Sequence, residues 1–521
     1  MYIAMDMGTT HTRLWLCDDA KICHYLKGCV GAGVTKTKGK DFLFLEIKNL
    51  ISSLLQKADC QPEQVECIIV SGMAGSELGL TDIPHLPLPA DLFTLASHLQ
   101  TRVFPEIINI PFLFVPGLKK SSNGLLQDVM RGEETESIGM LPDCDAVLVL
   151  PGTHNKIISI SNDGTITDFY TTMSGEVLHN MVTNSILSGT VQHDFVPSES
   201  FIREGAAYAK ENGLNAALFH IRVMSLNGLP SDTLSSFLYG AVLSQDVEKI
   251  LRFAGNKPIF VGGSHILKTV YAILIGSAAQ PVDELSAANA TQKGLSAILK
   301  LHRRLQEKNA VLSAIAQEKI IAILRAPDRE TLLPAVKALY DGGIRLVEVT
   351  FDRSGNIPHE VTAAHIKALK DHTPMLVGAG TVTTLDELRL AETAGALYII
   401  SPNCDPDIIR ATRKLGLVSI PAAYTPTEIA AAIHSGADYV KIFPADTLPK
   451  GYIKAVKAPL SDAKLLAVGG VTAENAQAYL HDGYCGVGVG SNLYNRELIA
   501  RQDWQSLTDL ASTYVEAVKK A

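Results

Sequence analysis

The residue of this chain best placed to do chemistry is Lys441, which lies inside the mostly apolar run Tyr439 to Pro444. An ammonium group loses its proton more easily when it is removed from water, and the neutral amine attacks ketones. A strand lysine can instead lay its alkyl stem on apolar neighbours while its charged end reaches water. Lys441 alone therefore allows two interpretations, an imine-forming nucleophile and a partly exposed strand lysine.

The second half of the chain predicts the element that would hold this lysine. Short apolar runs alternate there with helix-like segments. The runs are Ile320 to Leu324, Leu346 to Phe351, Met375 to Thr381, Tyr398 to Pro402, Val418 to Ala422, Tyr439 to Pro444, Leu465 to Gly470 and Cys485 to Ser491. Eight strands that are each followed by a helix predict an α/β fold of the (β/α)8 or TIM-barrel type, and a doubly wound open sheet is the alternative.

Catalytic groups of such barrels lie where the strands end at the carboxyl face. The side chains at these ends are Arg325, Glu348, Arg353, Thr381, Asn403 and Lys441. Two pairs, Gly469-Gly470 and Gly490-Ser491, follow the last two strands, where loop amides commonly bind phosphate. A tight turn would explain either pair alone. Their joint position favours a phosphate group in the substrate.

Five motifs in this half together resemble the 2-dehydro-3-deoxy-phosphogluconate/galactonate aldolase family. They are Val347 to Thr350, Gly378 to Val382, Ser401 to Asn403, Lys441 to Ala445 and Val468 to Val471. The resemblance covers residues 312 to 521 and implies that Lys441 is the Schiff-base lysine and Glu348 the general acid/base. The substrate contacts that it implies are Thr381 and Arg325 at the pyruvate carboxylate and hydroxyls, and Gly470, Gly490 and Ser491 at the terminal phosphate.

These residue types agree with a retro-aldol cleavage. Lys441 would attack the C2 ketone, and the resulting iminium would accept electrons while Glu348 removes the C4 hydroxyl proton, so that the C3–C4 bond breaks. Pyruvate and glyceraldehyde 3-phosphate would result, and no metal is needed because the protonated imine polarises the substrate. Some relatives carry a substrate-binding arginine four positions after the glutamate, where this chain has Asp352 followed by Arg353. Either Arg353 takes that role from a shifted loop, or recognition differs there.

The first half contains three glycine turns that join apolar segments. Ile3 to Trp15 and Val147 to Ile157 each predict a strand, a tight turn and a second strand, and Ile259 to Gly263 predicts a strand and a Gly-Gly turn before a helix. One such turn alone is unspecific. Two hairpins followed by a Gly-Gly helix start resemble, in that order, the actin-like sugar kinases and ATPases.

That resemblance implies an ATP site between two related lobes. Hairpin amides and hydroxyls would hold the phosphates, an acid would serve hydrated magnesium, and the Gly-Gly turn would approach the adenosine. The positions implied for the nucleotide are Gly8, Thr9, Thr10, Gly152, Thr153, Gly262 and Gly263. Asp6 is implied as the acid on the magnesium side, although an aspartate also commonly ends a strand to make a turn.

Further motifs narrow the resemblance to the 2-dehydro-3-deoxygalactonokinase family, over residues 1 to 298. They are Ala32 to Thr35, Gly72 to Ser76, Val115 to Leu118, Met130 to Thr135, Pro151 to His154 and Met173 to Glu176. The resemblance implies transfer of the ATP γ-phosphate to the terminal hydroxyl of a sugar acid. Glu133 or Glu134 would be the base, with Asp128 as a competitor. Arg131 would pair with the substrate carboxylate or with the two glutamates.

Composition places the chain among globular α/β proteins, because 47% of its 521 residues are hydrophobic and 19% are charged. The net charge of -8 gives no support for a nucleic-acid or membrane partner. The first residues lack the features of a signal peptide, so we expect a cytoplasmic protein. The eight cysteines form no Cys-x-x-Cys pair, and we expect reduced, mostly buried thiols.

A polar helical linker, residues 299 to 311, is predicted between a kinase-like domain (1 to 298) and an aldolase-like barrel (312 to 521). We therefore expect a bifunctional enzyme of galactonate breakdown that phosphorylates 2-dehydro-3-deoxygalactonate with ATP and Mg2+ and then cleaves the product. The alternatives are the gluconate-series epimer as the aldolase substrate, and a first half that binds sugar for regulation without catalysis. The aldolase resemblance also implies a homo-oligomer, a trimer through the barrel.

Overall fold

The computed structural model of the protein describes residues 1–19, 21–263, 265–325 and 329–520. The chain divides into two compact units, Met1–His302 and Arg303–Ala521. Both units are mixed α/β structures. Among the described residues, none of the helices combines the length and the apolar character that crossing a lipid bilayer requires.

The first unit contains two main sheets, a small third sheet and the helices that pack on them. Its strands are β1 (Tyr2–Met7), β2 (Thr12–Asp18), β3 (Lys21–Gly28), β4 (Ile68–Gly72), β5 (Leu86–Pro87), β6 (Gln100–Phe104), β7 (Ile108–Phe114), β8 (Leu118–Ser122), β9 (Leu125–Met130), β10 (Ala146–Leu150), β11 (Asn155–Ile160), β12 (Ile166–Thr172), β13 (Ile259–Val261) and β14 (Ala279–Pro281). Its helices are α1 (Thr35–Lys38), α2 (Lys40–Lys57), α3 (Leu92–Ser97), α4 (Glu133–Gly139), α5 (Ser174–Asn184), α6 (Glu199–Asn212), α7 (Leu214–Leu226), α8 (Ser231–Ala254) and α9 (His265–Ile275).

The two main sheets repeat one arrangement. The first has the order β3-β2-β1-β4-β7-β6, and the second has the order β12-β11-β10-β13-β14. In each sheet an antiparallel hairpin, β1 with β2 or β10 with β11, adjoins a parallel strand, β4 or β13. These are the two hairpins that the sequence predicts. The residues of β10 are all buried, as expected of a strand covered on both faces.

The second sheet packs against α6 and α8, which approach each other closely at two glycines. A Cβ atom on Gly205 would lie 2.1 Å from the carbonyl oxygen of Phe237, and a Cβ atom on Gly240 would lie 2.1 Å from that of Ile202. Any larger residue at either position would force the helices apart, because real Cβ atoms do not come so close to a backbone oxygen.

Helix α10 (Glu284–Glu318) contributes to the core of each unit. Near its start, a Cβ atom on Gly294 would lie 2.0 Å from the carbonyl oxygen of Thr135, so α10 is in backbone contact with α4. Near its end, Val311 and Ile315 are buried in a cluster with Leu346 of the second unit. The stretch predicted as a polar linker is thus continuous helix.

The second unit alternates strands and helices. Its strands are β15 (Ile320–Arg325), β16 (Leu346–Thr350), β17 (Leu376–Gly380), β18 (Tyr398–Ile400), β19 (Val418–Ile420), β20 (Ala422–Ala423), β21 (Val440–Ile442), β22 (Leu465–Val468) and β23 (Gly486–Val489). Its helices are α11 (Arg329–Asp341), α12 (His359–His372), α13 (Leu385–Ala394), α14 (Pro406–Lys414), α15 (Pro426–His434), α16 (Tyr452–Lys457), α17 (Ala473–His481), α18 (Arg496–Ala500) and α19 (Trp504–Lys519).

The sheet of the second unit closes on itself. Its order is β19-β18-β17-β16-β15-β23-β22-β21-β20, and the two end segments are separated in the chain only by Pro421. Proline lacks the amide proton of a ladder bond, so β19 and β20 are one strand that it interrupts. The parallel strands therefore fit the predicted (β/α)8 barrel rather than an open doubly wound sheet.

Tyr398 fills the barrel interior below the strand ends. Its side chain is fully buried, and its hydroxyl donates a hydrogen bond of 2.6 Å to the carbonyl oxygen of Val347. A Cβ atom on Gly378, in the neighbouring strand, would lie 2.1 Å from the tyrosine ring. The glycine therefore makes room for a large side chain that supports β16, the strand of Glu348.

The prediction of mostly buried cysteines is wrong. All eight are free, but three are buried, namely Cys17, Cys60 and Cys67. Cys23, Cys29 and Cys144 are exposed, and Cys404 and Cys485 are intermediate. Cys23 lies on β3, a strand at the edge of its sheet, where most of the side chains are exposed.

Candidate active sites

Lys441 lies on β21 and is 8% exposed. Its backbone amide donates a hydrogen bond of 2.8 Å to the carbonyl oxygen of Pro421, which fixes the strand at the interruption of the sheet. Burial lowers the pKa of the Lys441 ammonium group, the charge of Glu348 opposes this shift, and the charge of Arg325 adds to it. The side chain is therefore a buried amine with a carboxylate and a guanidinium nearby.

Glu348 lies on β16 and is 2% exposed. Burial raises the pKa of its carboxyl group, while Lys441 and Arg325 lower it. A Cβ atom on Gly380, in β17, would lie only 1.7 Å from Oε1 of Glu348. A residue with a side chain at position 380 would displace this carboxylate, so the glycine defines where Glu348 lies.

Arg325 ends β15, which lies between β16 and β23 in the barrel. A Cβ atom on Gly490, just after β23, would lie 4.0 Å from Nε of Arg325. Arg325 therefore lies near the Gly490-Ser491 loop, and its charge acts on both Lys441 and Glu348. The structure brings together the lysine, the acid and the arginine that the sequence predicted for one site.

Arg353 contacts the loop that carries Thr381. Its Nη2 atom donates hydrogen bonds to the carbonyl oxygen of Thr381 at 3.1 Å, to Oγ1 of Thr383, and to Oε2 of the fully buried Glu387 at 2.6 Å. Glu387 also accepts from the amides of Thr383 and Thr384. Thr381 itself has φ of 60°, in the left-handed region that β-branched residues rarely adopt.

Asp352 and Asn403 have surroundings that differ from those of Arg353. Asp352 accepts hydrogen bonds from the side chain and amide of Ser354 and from the amides of Ile357 and Asn356, and these lower its pKa to about 2. It organises its own loop. Asn403 lies in an exposed bend after β18.

The predicted phosphate loops follow β22 and β23. Gly469 and Gly470 have φ of 100° and 66°, which glycine adopts without strain. A Cβ atom on Gly470 would also lie 2.4 Å from Cβ of Asp446. The side-chain amide of Asn475 donates to the carbonyl oxygen of Gly470 at 2.9 Å, so the start of α17 holds this loop.

A cleft of about 310 Å3 lies between the two main sheets of the first unit. The predicted residues that line it are Asp6, Gly8, Thr9, Arg131, Glu133, Gly152 and Thr153. Four others do not line it, namely Thr10, Glu134, Gly262 and Gly263. Residues of both hairpins therefore line one cleft.

Each hairpin is held by a neighbouring segment. In the first, the amide of Gly33 donates to the carbonyl oxygen of Thr9 at 2.8 Å. In the second, a Cβ atom on Gly175 would lie 1.8 Å from the carbonyl oxygen of Gly152, so the start of α5 touches the turn. His154, in the same turn, pairs with Glu176 of α5 at 2.8 Å.

Asp6 forms an ion pair with Arg13, whose Nη2 lies 2.6 Å from Oδ2 of Asp6. The second carboxylate oxygen, Oδ1, lies near Gly72, where a Cβ atom would come within 3.1 Å of it. The missing side chain leaves room beside Oδ1, so Asp6 fits the role of an acid that serves a hydrated cation. The described residues include no group of three or more His, Cys, Asp or Glu side chains arranged to hold a metal.

The glutamates of α4 have different partners. Glu133 lines the cleft, its Oε2 accepts from the amide of Arg131 at 3.0 Å, and burial raises its pKa while Lys156 opposes the shift. Glu134 points both carboxylate oxygens at the amide of Gly132, at 3.0 and 2.8 Å. Burial and Glu133 raise the pKa of Glu134 to about 7.

Glu136 is a site residue that the sequence interpretation missed. It lines the cleft, and burial raises its pKa to about 7 against the opposing charge of Arg13. Glu136 lies three positions after Glu133, and residues with this spacing lie on the same face of a helix, so the spacing could have identified Glu136 from the sequence. Asp128 lies outside the cleft lining and accepts from the amide and hydroxyl of Thr171, both at 2.7 Å.

Arg131 lines the cleft without an ion-pair partner among the described residues. Its Nη2 donates to the carbonyl oxygen of Ile83 at 2.5 Å and lies 3.3 Å from the ring nitrogens of His85. Its Nη1 is buried and has no hydrogen-bond partner. Burial, together with the charge of Arg131, lowers the pKa of His85 to about 4, so the imidazole is neutral at pH 7.

The Gly-Gly turn contacts the second hairpin. The amide of Gly262 donates to the carbonyl oxygen of Val149 at 2.9 Å. Gly263 has φ of 84°, and a Cβ atom there would lie 2.9 Å from Cδ of Pro151. The turn and the hairpin are thus packed on each other.

Comparison with known proteins assigns each half to a family. Residues 6–298 match the family model of 2-keto-3-deoxy-galactonokinase, and residues 311–510 match that of KDPG and KHG aldolase. A 2-dehydro-3-deoxygalactonokinase of Escherichia coli (strain K12) is 30% identical over 264 residues, which cover 49% of this chain and 82% of that protein.

Two aldolases are similar to the second half. A 2-dehydro-3-deoxy-6-phosphogalactonate aldolase of Escherichia coli (strain K12) is 35% identical over 206 residues, which cover 39% of this chain and 95% of that protein. A 2-dehydro-3-deoxy-phosphogluconate aldolase of Pseudoalteromonas atlantica is 33% identical over 204 residues, which cover 38% of this chain and 91% of that protein.

Both family resemblances drawn from the sequence are confirmed. The chain belongs, through its first half, to the 2-keto-3-deoxy-galactonokinase family and, through its second half, to the KDPG and KHG aldolase family.

Proposed function

We propose that the protein is a bifunctional enzyme that phosphorylates 2-dehydro-3-deoxygalactonate with ATP and cleaves the 6-phosphate to pyruvate and glyceraldehyde 3-phosphate. The observation that carries this proposal is the fusion in one chain of two families whose reactions are consecutive. The cleft of the first unit and the Lys441–Glu348 pair of the second support one reaction each.

For the first reaction we infer an actin-like arrangement of two lobes. The repeated hairpin and parallel strand in the two main sheets support it. The ATP phosphates would lie between the turns at Gly8 and Gly152, with the adenosine toward Gly262 and Gly263. A magnesium ion would neutralise phosphate charge, and Asp6 would hold its water shell through Oδ1.

Glu133 is our choice for the base of this reaction, because it lines the cleft and Glu134 does not. It would take the proton of the terminal hydroxyl as that oxygen attacks the γ-phosphorus and ADP leaves. Arg131 would bind the substrate carboxylate, since it lines the cleft and its buried Nη1 atom has no hydrogen-bond partner. His85, which is neutral, would position Arg131.

For the second reaction, Lys441 would add to the C2 ketone and form an imine with loss of water. Glu348 would take the C4 hydroxyl proton, the C3–C4 bond would break, and its electron pair would move into the iminium as the aldehyde leaves. Protonation at C3 and hydrolysis of the imine would release pyruvate and the free lysine. Arg325 and Thr381 would hold the pyruvate carboxylate and hydroxyls.

The terminal phosphate would lie at the loops Gly469-Gly470 and Gly490-Ser491. Their position after the last two barrel strands, and the placement of Arg325 beside Gly490, support this. We infer that Arg353 positions Thr381 rather than binding substrate, because its guanidinium is engaged by that residue's carbonyl and by Glu387.

The assignment of one reaction to each unit, and the position of the boundary between the units, are proposals. We place the boundary between His302 and Arg303 rather than across residues 299 to 311. Arg304 and Lys308 support this choice, since they pair with Glu392 and Asp438 of the barrel unit. A cytoplasmic location and a trimer through the barrel stay predictions.

The first prediction tests the two reactions in series. The intact protein with 2-dehydro-3-deoxygalactonate should release pyruvate only when ATP and Mg2+ are added, because the barrel would require the terminal phosphate. Pyruvate is followed with lactate dehydrogenase and NADH, and the gluconate-series epimer is assayed in parallel. Rapid pyruvate release without ATP would refute the series, and faster turnover of the gluconate epimer would reassign the substrate.

The second prediction concerns the lysine and the acid of the barrel. Borohydride with pyruvate should add mass at Lys441, and Lys441→Ala should abolish the label. Glu348→Gln should slow cleavage on the order of a hundredfold or more while the label persists, since general acid/base catalysis contributes that much. ATP consumption by the same variants should be unchanged and serves as the control. Equal labelling of Lys441→Ala would disprove the assignment.

The third prediction is a pH shift caused by Arg325. Its charge lowers the pKa of both Lys441 and Glu348, and both must be deprotonated to act as nucleophile and base. Arg325→Gln should raise both pKa values and move the acid limb of the kcat/KM profile for cleavage to higher pH. Arg345→Gln, at the opposite end of β16, should leave the limb in place. A lower rate with an unmoved limb would contradict the assignment.

The fourth prediction separates the acids of the first unit. Glu133→Gln should lower kcat for phosphorylation on the order of a hundredfold or more while nucleotide still binds. Asp128→Asn should retain kcat, because Asp128 lies outside the cleft and bonds to Thr171. Steady-state rates and calorimetric nucleotide affinity are measured together. A normal rate for Glu133→Gln with a lost rate for Glu136→Gln would move the base to Glu136.

A further inference from the structure

A buried carboxylate lies behind the second hairpin of the kinase-family half. Asp246, on α8, is 5% exposed. Its Oδ2 atom accepts hydrogen bonds from the hydroxyl of Tyr271 at 2.6 Å, from the hydroxyl of Thr172 at 3.0 Å and from the side-chain amide of Asn155 at 3.3 Å. It forms no ion pair within the described part of the chain. Three neutral donors therefore hold one buried charge.

Asn155 connects this carboxylate to the hairpin. It is fully buried, its Nδ2 also donates to the hydroxyl of Tyr271 at 2.8 Å, and its Oδ1 accepts from the amide of Gly152 at 3.1 Å. The Gly152 amide is thereby used within the protein. The next two amides, of Thr153 and His154, donate no hydrogen bond in the ranges that the structure describes, which leaves them available to a ligand at the cleft.

Tyr271 connects the same carboxylate to α9. This helix follows the Gly262-Gly263 turn, and the turn packs on Pro151 of the hairpin. The hairpin thus contacts the Gly262-Gly263 turn directly, and it is also linked through Asn155 and Asp246 to Tyr271 in the middle of α9. Neither Asp246 nor Tyr271 lines the cleft, so neither would touch a nucleotide held there.

The energetics favour a positional role for this network. A buried carboxylate without a cation is costly even when it is hydrogen-bonded, and a well-packed apolar group of similar size often gives equal or greater stability. A fully satisfied polar network, in contrast, fixes the geometry of its members. The contribution of Asp246 is therefore to hold Asn155 and Tyr271 in one arrangement.

We propose that Asp246 is a positioning residue for nucleotide binding, which acts through Asn155 on the phosphate hairpin and through Tyr271 on α9. Asn155 accepts a hydrogen bond from the Gly152 amide and so fixes the turn, in which the amides of Thr153 and His154 would bind the phosphates. Tyr271 keeps α9, on the adenosine side, in register with the hairpin. This inference rests on the proposed function, in which the hairpin holds the ATP phosphates.

Tyr271→Phe is the principal test, because it removes one hydroxyl from the network and keeps the ring. In the full-length protein, calorimetry without sugar acid should give a dissociation constant for ADP raised about tenfold, the size expected for losing a hydrogen bond to a charged acceptor. The KM for ATP should rise in parallel, and the KM for the sugar acid should stay constant. Asp246→Asn should raise the same constant.

Tyr239→Phe is the matched control. Tyr239 is another buried tyrosine of the same sheet–helix layer, on α8, and its hydroxyl lies 3.1 Å from Nδ1 of His193 rather than near Asp246. Its loss should leave the ADP affinity unchanged. Cleavage activity of the barrel in each preparation reports the amount of intact chain, and thermal melting reports the stability of the first unit.

The outcomes separate the inference from the proposed function. A network effect also requires that the double variant Tyr271→Phe, Asp246→Asn lose less affinity than the sum of the single losses. Lower melting temperature with unchanged ADP affinity, or equal effects of Tyr271→Phe and Tyr239→Phe, would overturn the inference. Wild-type protein that binds ADP without phosphorylating the sugar acid would refute the proposed function alone, and wild-type protein that binds no nucleotide would overturn both.

Discussion

Removal of ionisable side chains from water is the constraint on which both candidate sites depend. In the barrel, burial alone disfavours the charged forms of both Lys441 and Glu348, and it shifts their pKa values in opposite directions. Each charge also opposes the shift of the other, so the two groups titrate as a coupled pair. The interior packing follows from this constraint. Tyr398 closes the barrel below the pair, and Gly380 leaves the space that the carboxylate occupies.

The same constraint acts on three neighbouring glutamates of the first unit, which have different surroundings. Glu133, Glu134 and Glu136 lie in one short helix, where burial raises all three pKa values and the charge of Glu133 adds to the shifts of the other two. The three side chains differ in the groups that they contact. Glu134 accepts from the amide of Gly132 and stabilises the turn before the helix, and Arg13 faces Glu136. Glu133 accepts from the amide of Arg131 and lines the cleft.

Much of this arrangement was predictable from local sequence patterns. Continuous apolar runs gave the barrel strands and both hairpins, because strands buried on two faces need apolar residues throughout. Lys441 and Glu348 were recognisable as charges inside such runs. Pro421 falls within the predicted strand Val418 to Ala422, and its missing amide proton was a sign of the interruption between β19 and β20.

Contacts between distant segments were not predictable in this way. His85 lies beside Arg131, and Asp246 lies beside Asn155, only because the fold brings together residues that are 46 and 91 positions apart. The choice between Glu133 and Glu134 depended on which side chain faces the cleft. Adjacent helical residues point in directions about 100° apart, so spacing could not decide without knowledge of the neighbouring elements.

Arg353 shows how such a distant contact changes an interpretation. The sequence left two alternatives, a substrate-binding arginine on a shifted loop or a different mode of recognition. Thr381 occupies a backbone region that costs on the order of 1–3 kcal/mol, and surrounding bonds must hold it there. Arg353 binds its carbonyl oxygen, and Glu387 binds both Arg353 and the following amide of Thr383. Since the guanidinium is committed to a buried carboxylate, its release toward substrate would leave that charge unpaired. These contacts support the alternative in which recognition differs at this position, and they support our proposal that Arg353 acts by fixing Thr381.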